Sequence, residues 1–239
     1  MEDFAKSQNG YFVAFETSIQ QFLVNRNVVG NIEIRGYEDL LKPELNKKVV
    51  MGDASKSGSA FMHLLQMLDG YVIKSGGHYE NNAGWEYVRS LIKNSVILQS
   101  SGAIHKAVAD GEYGVALTWE APSVTYLRDG AKNLEIVYPK ECVYFGPSTV
   151  MLVKNCKNEE NAKLFIDFIL SEEPQNKMGL NGYARPTRKN AKTNYYTPYS
   201  DIEKMTNGHS GLPPYDEFIT ANSDRLRVKF TDTMTSVIK

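Results

Sequence analysis

Short apolar runs alternate along this chain with stretches whose apolar residues recur at helical spacing. Apolar runs typical of buried strands occur at 49–51, 115–119, 134–138 and 150–153. Helical spacing occurs over 57–68, 85–93, 122–128 and 158–169. Outside these segments we predict extended chain at 11–15 and 22–24, a short helix at 103–109, polar loops at 74–82 and 181–214, and one or two helices within 215–237. Strands that alternate with helices predict an α/β fold built on a largely parallel sheet.

The junction between the run at 49–51 and the next helix has the composition of an anion-binding turn. Ser57, Gly58 and Ser59 stand where that helix begins. The first N–H groups of a helix have no internal partner and lie at the positive end of its dipole, so hydroxyl groups and a glycine here suit a phosphate or a carboxylate. Serine and glycine are also ordinary helix caps, and both interpretations stay open.

Composition narrows the classes of partner. The chain has 239 residues, with 27 Lys and Arg against 28 Asp and Glu, and a formal net charge of -1. Binding to a nucleic acid would require a basic surface, so we predict no nucleic-acid partner. No apolar run reaches the length of a membrane span, and the N-terminal residues lack the basic start and apolar stretch of a signal peptide.

Sequence motifs for catalysis and metal binding are missing. Cys142 and Cys156 are the only cysteines, and they form neither a CxxC motif nor a Cys/His metal spacing, so we expect unpaired packing residues. The nucleophile-elbow, Walker and dinucleotide-binding motifs do not occur. We therefore expect no cofactor, and a binding protein rather than an enzyme.

Five segments, each unspecific alone, occur in an order and spacing that match a known family over most of the chain. The segments are Gly36–Leu41, Gly52–Ala60, Gly111–Glu120, Val137–Glu141 and Lys157–Ser171. Together they resemble the solute-binding proteins of bacterial ABC transporters, in the class that includes ferric-iron, phosphonate and sugar-phosphate binders.

This resemblance implies a type II periplasmic-binding-protein fold, with one α/β lobe of mostly parallel sheet flanked by helices and a second lobe that is incomplete. Residues 1–29 would form a crossing segment and part of the first lobe. Residues 30–146 would form the second lobe, and residues 147–190 would return to the first. The C-terminal loop and helices of residues 191–239 would pack on the second lobe.

A full member of this class would also carry a signal peptide and most of the first lobe. We therefore expect a C-terminal portion of such a protein, with a periplasmic or extracellular cell-surface location. Leu152, Phe165 and Phe168 would then be partly exposed, or buried by self-association through the incomplete lobe.

The resemblance also marks binding residues, beginning with the anion-holding turn Ser57-Gly58-Ser59. Thr118, Trp119 and Glu120 follow a predicted strand, at the edge where open α/β sheets bind ligands. Trp119 would stack on a sugar ring, and Glu120 would accept hydrogen bonds from hydroxyl or ammonium groups. The alternative is a Trp119 that belongs to the core and a Glu120 that begins a helix.

Further candidates lie on the segments expected to cross between the lobes. Glu16 and Thr17 belong to the first crossing, and Ser148 to the second. Arg185 and Arg188 would hold a phosphate through bidentate guanidinium contacts, or lie solvated in a loop.

Taken together, the resemblance implies a non-catalytic protein whose lobes close on a small anionic organic solute, a sugar phosphate or phosphonate, for delivery to a membrane permease. Ferric iron is an alternative solute. However, Trp119 and Glu120 stand where ferric binders have adjacent tyrosines, and Tyr195-Tyr196 lies much later, in a polar loop. A small-molecule hydrolase that uses Glu120 is an alternative of another class.

Overall fold

A computed structural model describes residues 1–6, 10–75, 79–80, 82–213 and 217–237 of the chain. The strands are β1 (Val13–Asn25), β2 (Val49–Gly52), β3 (Ser95–Leu98), β4 (Val115–Trp119), β5 (Leu134–Val137), β6 (Val143–Val150), β7 (Arg185–Pro186) and β8 (Ser210–Gly211). The helices are α1 (Arg26–Val29), α2 (Gly58–Ser75), α3 (Asn82–Asn94), α4 (Ser101–Ala109), α5 (Glu120–Arg128), α6 (Glu159–Leu170), α7 (Glu172–Leu180), α8 (Tyr199–Met205) and α9 (Glu217–Val237). Short 3-10 helices lie at Asp3–Ala5, Tyr37–Leu41 and Pro43–Leu45.

The strands form a mixed sheet in the order β3-β2-β4-β1-β6-β8, and β5 and β7 also pair with β1. β2 lies between β3 and β4 and is parallel to both. The chain passes through helices on its way from each of these strands to the next, as is usual for parallel strands. β1 runs antiparallel to β4, β5, β6 and β7. The predicted α/β class is confirmed, and the parallel arrangement is found mainly in the β3-β2-β4 part.

β1 is one continuous strand that belongs to both halves of the sheet. Its first part pairs with β6 as far as Ile19, and Glu16 and Thr17 also pair with β7. Its second part pairs with β4 from Gln20 onwards and with β5 from Phe22 onwards. Residues 13–25 therefore form a single strand, where the sequence predicts two separate extended segments at 11–15 and 22–24.

The polar middle of β1 explains that difference. Gln21 is fully buried, and its amide nitrogen donates to the Ser123 hydroxyl at 2.6 Å and to the Trp119 carbonyl at 3.1 Å. Polar residues that have internal partners can continue a buried strand, although their polarity hides the strand from hydrophobic patterning.

Helices cover both faces of the sheet around β2 and β4. Val49 and Met51 face the core beneath α2 and α3, whereas Val50 faces the core beneath α4, as the two-residue period of a strand requires. Leu226 and Phe230 of α9 join the first of these cores, and α9 packs on α3.

Several predicted boundaries were wrong. The strand predicted at 150–153 is absent, because β6 ends at Val150 and the side chains of Met151 and Val153 are exposed. The sequence did not predict β3, and α8 lies inside the predicted polar loop 181–214. α2 continues to Ser75, into the predicted loop 74–82, of which residues 76–78 and 81 lie outside the described residues.

One face of α6 is apolar and uncovered. Phe165 and Phe168 are each 59% exposed, Leu164 is exposed as well, and α6 has no buried residue. Leu152 is half-buried. The exposure predicted for these side chains is thus observed, most clearly for the two phenylalanines. Among the described residues, no helix has both the length and the apolar composition required to cross a membrane.

Candidate functional site at the carboxyl ends of β2, β3 and β4

The turn between β2 and α2 ends in a capped helix with accessible amides. The Ser57 hydroxyl accepts a hydrogen bond from the Ala60 N–H at 3.3 Å, and the Ser57 carbonyl accepts one from Phe61. Ser57 is therefore the helix cap that one interpretation of the sequence expected. The N–H groups of Gly58 and Ser59 make no hydrogen bond to any described residue, so they remain available to a ligand.

The start of α4 lies beside the start of α2. The Ser57 hydroxyl is 3.3 Å from the Ser59 hydroxyl and 3.3 Å from the Ser101 hydroxyl. The Lys56 ammonium donates to the Gln99 side chain at 3.0 Å and ties the two preceding loops together. Two helix N-termini and three hydroxyl groups therefore converge at one point, which is a suitable environment for an anion.

Trp119 lies at the carboxyl end of β4 and is half-buried. Its ring meets the His105 ring edge to face at 5.5 Å. Ser101 and His105 are four residues apart, so they share one face of α4, and this face connects the serine cluster with Trp119. Neither residue is among those predicted from the sequence to bind, although Ser100-Ser101 before the predicted helix 103–109 repeats the serine signal of 57–59.

Thr118 is buried and acts through its backbone rather than as an exposed ligand-binding side chain. Its carbonyl accepts a hydrogen bond from His63 Nε2 at 2.9 Å, which places the imidazole proton on that nitrogen. His63 Nδ1 then accepts from the Tyr37 hydroxyl at 2.8 Å. Burial lowers the pKa of His63 to about 4, an effect that the bond to Thr118 only partly offsets, so the ring is neutral. This bond holds α2 against the end of β4.

Gln66, one turn further along α2, extends the same polar network to β6. Its amide nitrogen donates to the Tyr37 hydroxyl at 3.0 Å and to the Cys142 carbonyl at 3.1 Å. Its amide oxygen accepts from the Tyr144 N–H at 3.2 Å. The helix that presents Gly58 and Ser59 is thus fixed by buried hydrogen bonds to two strands.

Glu120 and Arg185, both expected to contact a solute, contact each other instead. Arg185 Nε donates to Glu120 Oε2 and Nη2 donates to Oε1, each at 2.7 Å. The residues are 1% and 4% exposed. Neither side chain presents a free charge, which argues against direct solute binding by either residue and against a solvated loop position for Arg185. Glu120 also begins α5, as the alternative interpretation proposed.

Aromatic side chains enclose this ion pair. The Arg185 guanidinium lies 5.1 Å from the centre of the Tyr196 ring and 4.7 Å from that of Tyr199. The Tyr138 hydroxyl donates to Glu120, and Arg185 Nη1 donates to the Thr197 carbonyl at 2.7 Å. Each nitrogen of the Arg185 guanidinium and each oxygen of the Glu120 carboxylate thus has a hydrogen-bond partner, which burial of a charge pair requires.

Two more contacts continue this interface along α5. Val124 and Arg128 follow Glu120 at intervals of four residues, on the same face of the helix. A Cβ atom at Gly182 would lie 3.1 Å from Val124, and the Arg128 guanidinium lies 5.5 Å from the centre of the Tyr183 ring. One face of α5 therefore contacts the segment that leads into β7.

Glu16, Thr17 and Ser148, the candidates expected on crossing strands, lie close together on β1 and β6. Glu16 is paired in register with Ser148, and Thr17 is paired with Arg185. Glu16 and Ser148 are half-buried, whereas Thr17 is buried. Gln20, three residues beyond Thr17, pairs with Trp119. Glu16 therefore lies four residues along β1 from the residue that pairs with Trp119, and Ser148 lies beside Glu16 on β6.

The described residues contain no group of three or more His, Cys, Asp or Glu side chains arranged to hold a metal ion. Cys142 and Cys156 are unpaired, as expected. Tyr196 is buried against Arg185, and burial raises its pKa, which disfavours the phenolate form.

Residues 2–203 match the sequence model of the bacterial extracellular solute-binding protein family. The chain belongs to this family. A spermidine/putrescine-binding periplasmic protein of Salmonella typhimurium is 26% identical to this solute-binding protein over 162 residues, which are 68% of this chain and 45% of that protein. The chain thus spans less than half the length of this curated relative.

Solved structures of similar fold include two with named solutes. The periplasmic binding protein AfuA from Actinobacillus pleuropneumoniae, with exogenous fructose-6-phosphate bound, has a TM-score of 0.72 and 23% identity over 98% of this chain and 71% of that one. A ferric binding protein from Campylobacter jejuni has a TM-score of 0.65 and 19% identity over 98% of this chain and 73% of that one. At these identities the likeness shows the fold.

The neutral state of His63 predicts a loss of stability in acid. In the unfolded chain the imidazole titrates near its ordinary pKa of 6.5, whereas in the folded protein the pKa is about 4. Between these values the unfolded state binds more protons, so the free energy of unfolding falls as the pH falls from 6.5 to 4, by up to about 3 kcal/mol. Urea unfolding at a series of pH values measures this. His63→Gln should flatten the dependence and His209→Gln should not; an unchanged slope in His63→Gln would contradict the assignment.

The ion pair predicts a large effect from a nearly isosteric change. Glu120→Gln should lower the free energy of unfolding by about 3 to 5 kcal/mol, because it leaves a buried guanidinium without a countercharge. Glu135→Gln is the matched control, since the Arg26–Glu135 pair at 2.6 Å is partly exposed and its loss should cost about 1 kcal/mol or less. Equal losses in the two variants would show that the Glu120–Arg185 pair is not buried as described.

Proposed function

We propose that this chain is the solute-binding component of an ABC importer and that it binds a small anionic organic solute, a sugar phosphate or phosphonate. The observation that carries this proposal is the convergence of the α2 and α4 N-termini on Ser57, Ser59 and Ser101. Two free amides, those of Gly58 and Ser59, complete the set of donors. Such a set is matched by the oxygens of a phosphate or phosphonate group.

The charges around this point also favour an anion. Asp53 is the nearest carboxylate along the chain, and its Oδ1 already accepts hydrogen bonds from the Ser55 N–H at 2.9 Å and the Ser55 hydroxyl at 2.6 Å. Lys56 lies 3.3 Å from the same carboxylate. Glu120 is neutralised by Arg185. Asp53 and Glu120 therefore both have a cationic partner and do not present a free negative charge.

The rest of the solute would extend towards Trp119 and the crossing strand. The half-buried indole offers a flat apolar face to a sugar ring, and the half-buried side chains of Ser148 and Glu16 offer hydrogen-bonding groups along β1. The structure of AfuA with fructose-6-phosphate supports a phosphorylated sugar as a solute that this fold accommodates. Binding would proceed by closure of two lobes, the second built mainly from residues 30–146, and delivery to a permease at the outer face of the membrane.

A catalytic role for Glu120 has little physical support. A general acid or base must reach the proton that it transfers, whereas the Glu120 carboxylate is buried and occupied by Arg185 and Tyr138. The function proposed here is non-catalytic and requires no cofactor.

A cationic solute is a second candidate, and Glu16 is the observation that favours it. This half-buried carboxylate on β1 has no ion-pair partner among the described residues. The Salmonella relative is named for spermidine and putrescine. A polyamine would place an ammonium group on Glu16 and would leave the serine cluster unused.

Isothermal titration calorimetry with fructose 6-phosphate and with spermidine separates the two candidates. Ser59→Ala should weaken fructose 6-phosphate binding by about 1 to 2 kcal/mol, because a hydrogen bond to a charged group is lost. Ser171→Ala, a serine at the start of α7, is the control and should leave affinity unchanged. Spermidine binding that is lost in Glu16→Gln and unaffected in Ser59→Ala would overturn the anionic proposal.

Iron provides a separate check on the solute class. Adding ferric citrate should produce no visible tyrosinate charge-transfer band, since Tyr196 is packed against Arg185. In addition, β4 ends at Trp119 and is followed by Glu120, so no tyrosine pair stands there. Absorption spectroscopy measures this directly. A strong visible band that disappears in Tyr195→Phe or Tyr196→Phe would show that the chain binds ferric iron.

A further inference from the structure

We propose a second ligand site, for a small zwitterion of the size of a free amino acid, in a cavity between β7 and α8. The cavity has a volume of about 470 Å³. Its walls come from β7 and the segment after it, from the start of α8, and from Glu2, whose N–H donates to the Thr187 carbonyl at 2.7 Å. None of the serines at the starts of α2 and α4 lines it, and neither does Trp119, so the site is separate from the proposed anion site.

The cavity wall contains two buried donor atoms that lack partners. Arg188 Nε and the Tyr196 hydroxyl are both inaccessible to solvent and make no hydrogen bond within the described residues. Tyr196 as a whole is 5% exposed. Buried polar atoms in folded proteins are nearly always paired, because an unpaired one has lost its hydrogen bonds to water without replacement. For a ligand with acceptor oxygens to supply the missing partners, these two side chains would turn towards it as it binds.

The charge of Arg188 points to a carboxylate as that ligand group. The Arg188 side chain donates from Nη1 to the Leu170 carbonyl at 3.1 Å, and no carboxylate forms an ion pair with it in the described part of the chain. A half-buried guanidinium without a countercharge is unusual, because burial of a charge is unfavourable unless the charge is paired. Lys189, the neighbouring cation, already has Asp3 as its partner at 3.2 Å.

Carboxylates line the same cavity without partners of their own. Glu2 and Glu203 both line the cavity, and neither forms an ion pair with a described residue. Glu203 is exposed and Glu2 is half-buried, so they are more accessible than the two donors. An anion alone would be repelled by them, and a cation alone would leave Arg188 unpaired. A molecule with a carboxylate and an ammonium group close together suits both.

The test is a thermal-shift screen of the standard L-amino acids, followed by calorimetry on a matched set. The set consists of the amino acid with the largest shift, its deamino carboxylic acid and its decarboxylated amine. The amino acid should bind, and the other two should bind at least about tenfold more weakly, because each lacks one of the charged contacts.

Variants then locate the binding. Arg188→Gln should weaken it at least about tenfold, and Tyr196→Phe, which keeps the ring against Arg185, should weaken it about fivefold. Lys192→Gln removes a positive charge from the same segment outside the cavity and should have no effect. Ser59→Ala should also have no effect, which separates this site from the anion site.

Three results would overturn the proposal. One is the absence of any amino acid that raises the melting temperature. Another is binding that survives both Arg188→Gln and Tyr196→Phe. The third is equal binding of the amino acid and its deamino acid, which would show that the cavity recognises a carboxylate without an ammonium group.

Discussion

The arrangement of β4 and α5 against β7 and the loop that follows it depends on the buried pair of Glu120 and Arg185. Glu120 follows β4 and Arg185 begins β7, so the pair joins the ends of two strands that lie along the same strand, β1. A buried pair of this kind adds little stability over apolar packing, but it has few alternative partners, and losing one member leaves an unpaired charge. Its physical contribution is therefore geometric. It specifies how the segment before β7 meets α5, and the stacked rings of Tyr196 and Tyr199 then specify how the following loop covers the pair.

The same principle of buried polar pairing governs the proposed anion site. A helix that presents its N-terminus to a solute must be held in place, because small displacements weaken hydrogen bonds to the ligand. Here the apolar face of α2 packs into the core. The hydrogen bonds of His63 and Gln66 then fix the position of the helix relative to β4 and β6. The groups proposed to bind the solute are thus common ones, hydroxyls and backbone amides. Their position depends on the buried hydrogen bonds of His63 and Gln66.

The local parts of this structure could be predicted from sequence, and the long-range parts could not. The start of α2 and the limits of β4 depend on nearby residues, so apolar spacing and the serine turn identified them. Arg185 and Glu120 are far apart in the chain. A charged residue of either type is expected to be solvated or to bind a ligand as long as its partner in the fold is unknown. Gln21 likewise has the polarity of a loop residue, because its hydrogen bonds to Trp119 and Ser123 are not visible in the sequence. Ser101 could have been found, since the serine signal before α4 was present, whereas the contact of His105 with Trp119 is long-range and not visible in the sequence.

The continuity of β1 has a consequence for how such a protein can be divided or recombined. The strand order places β1 between β4 and β6, so the sheet around residues 30–146 is completed by a strand from outside that range. Excising this range as a module would leave β4 and β5 without the neighbour that satisfies their backbone groups, and would expose Leu117 and Ile136 along two open edges. Insertion, shuffling or swapping between relatives would therefore have to carry β1 together with residues 30–146. A segment that can be exchanged intact is therefore longer than residues 30–146, because it must include the strand at residues 13–25.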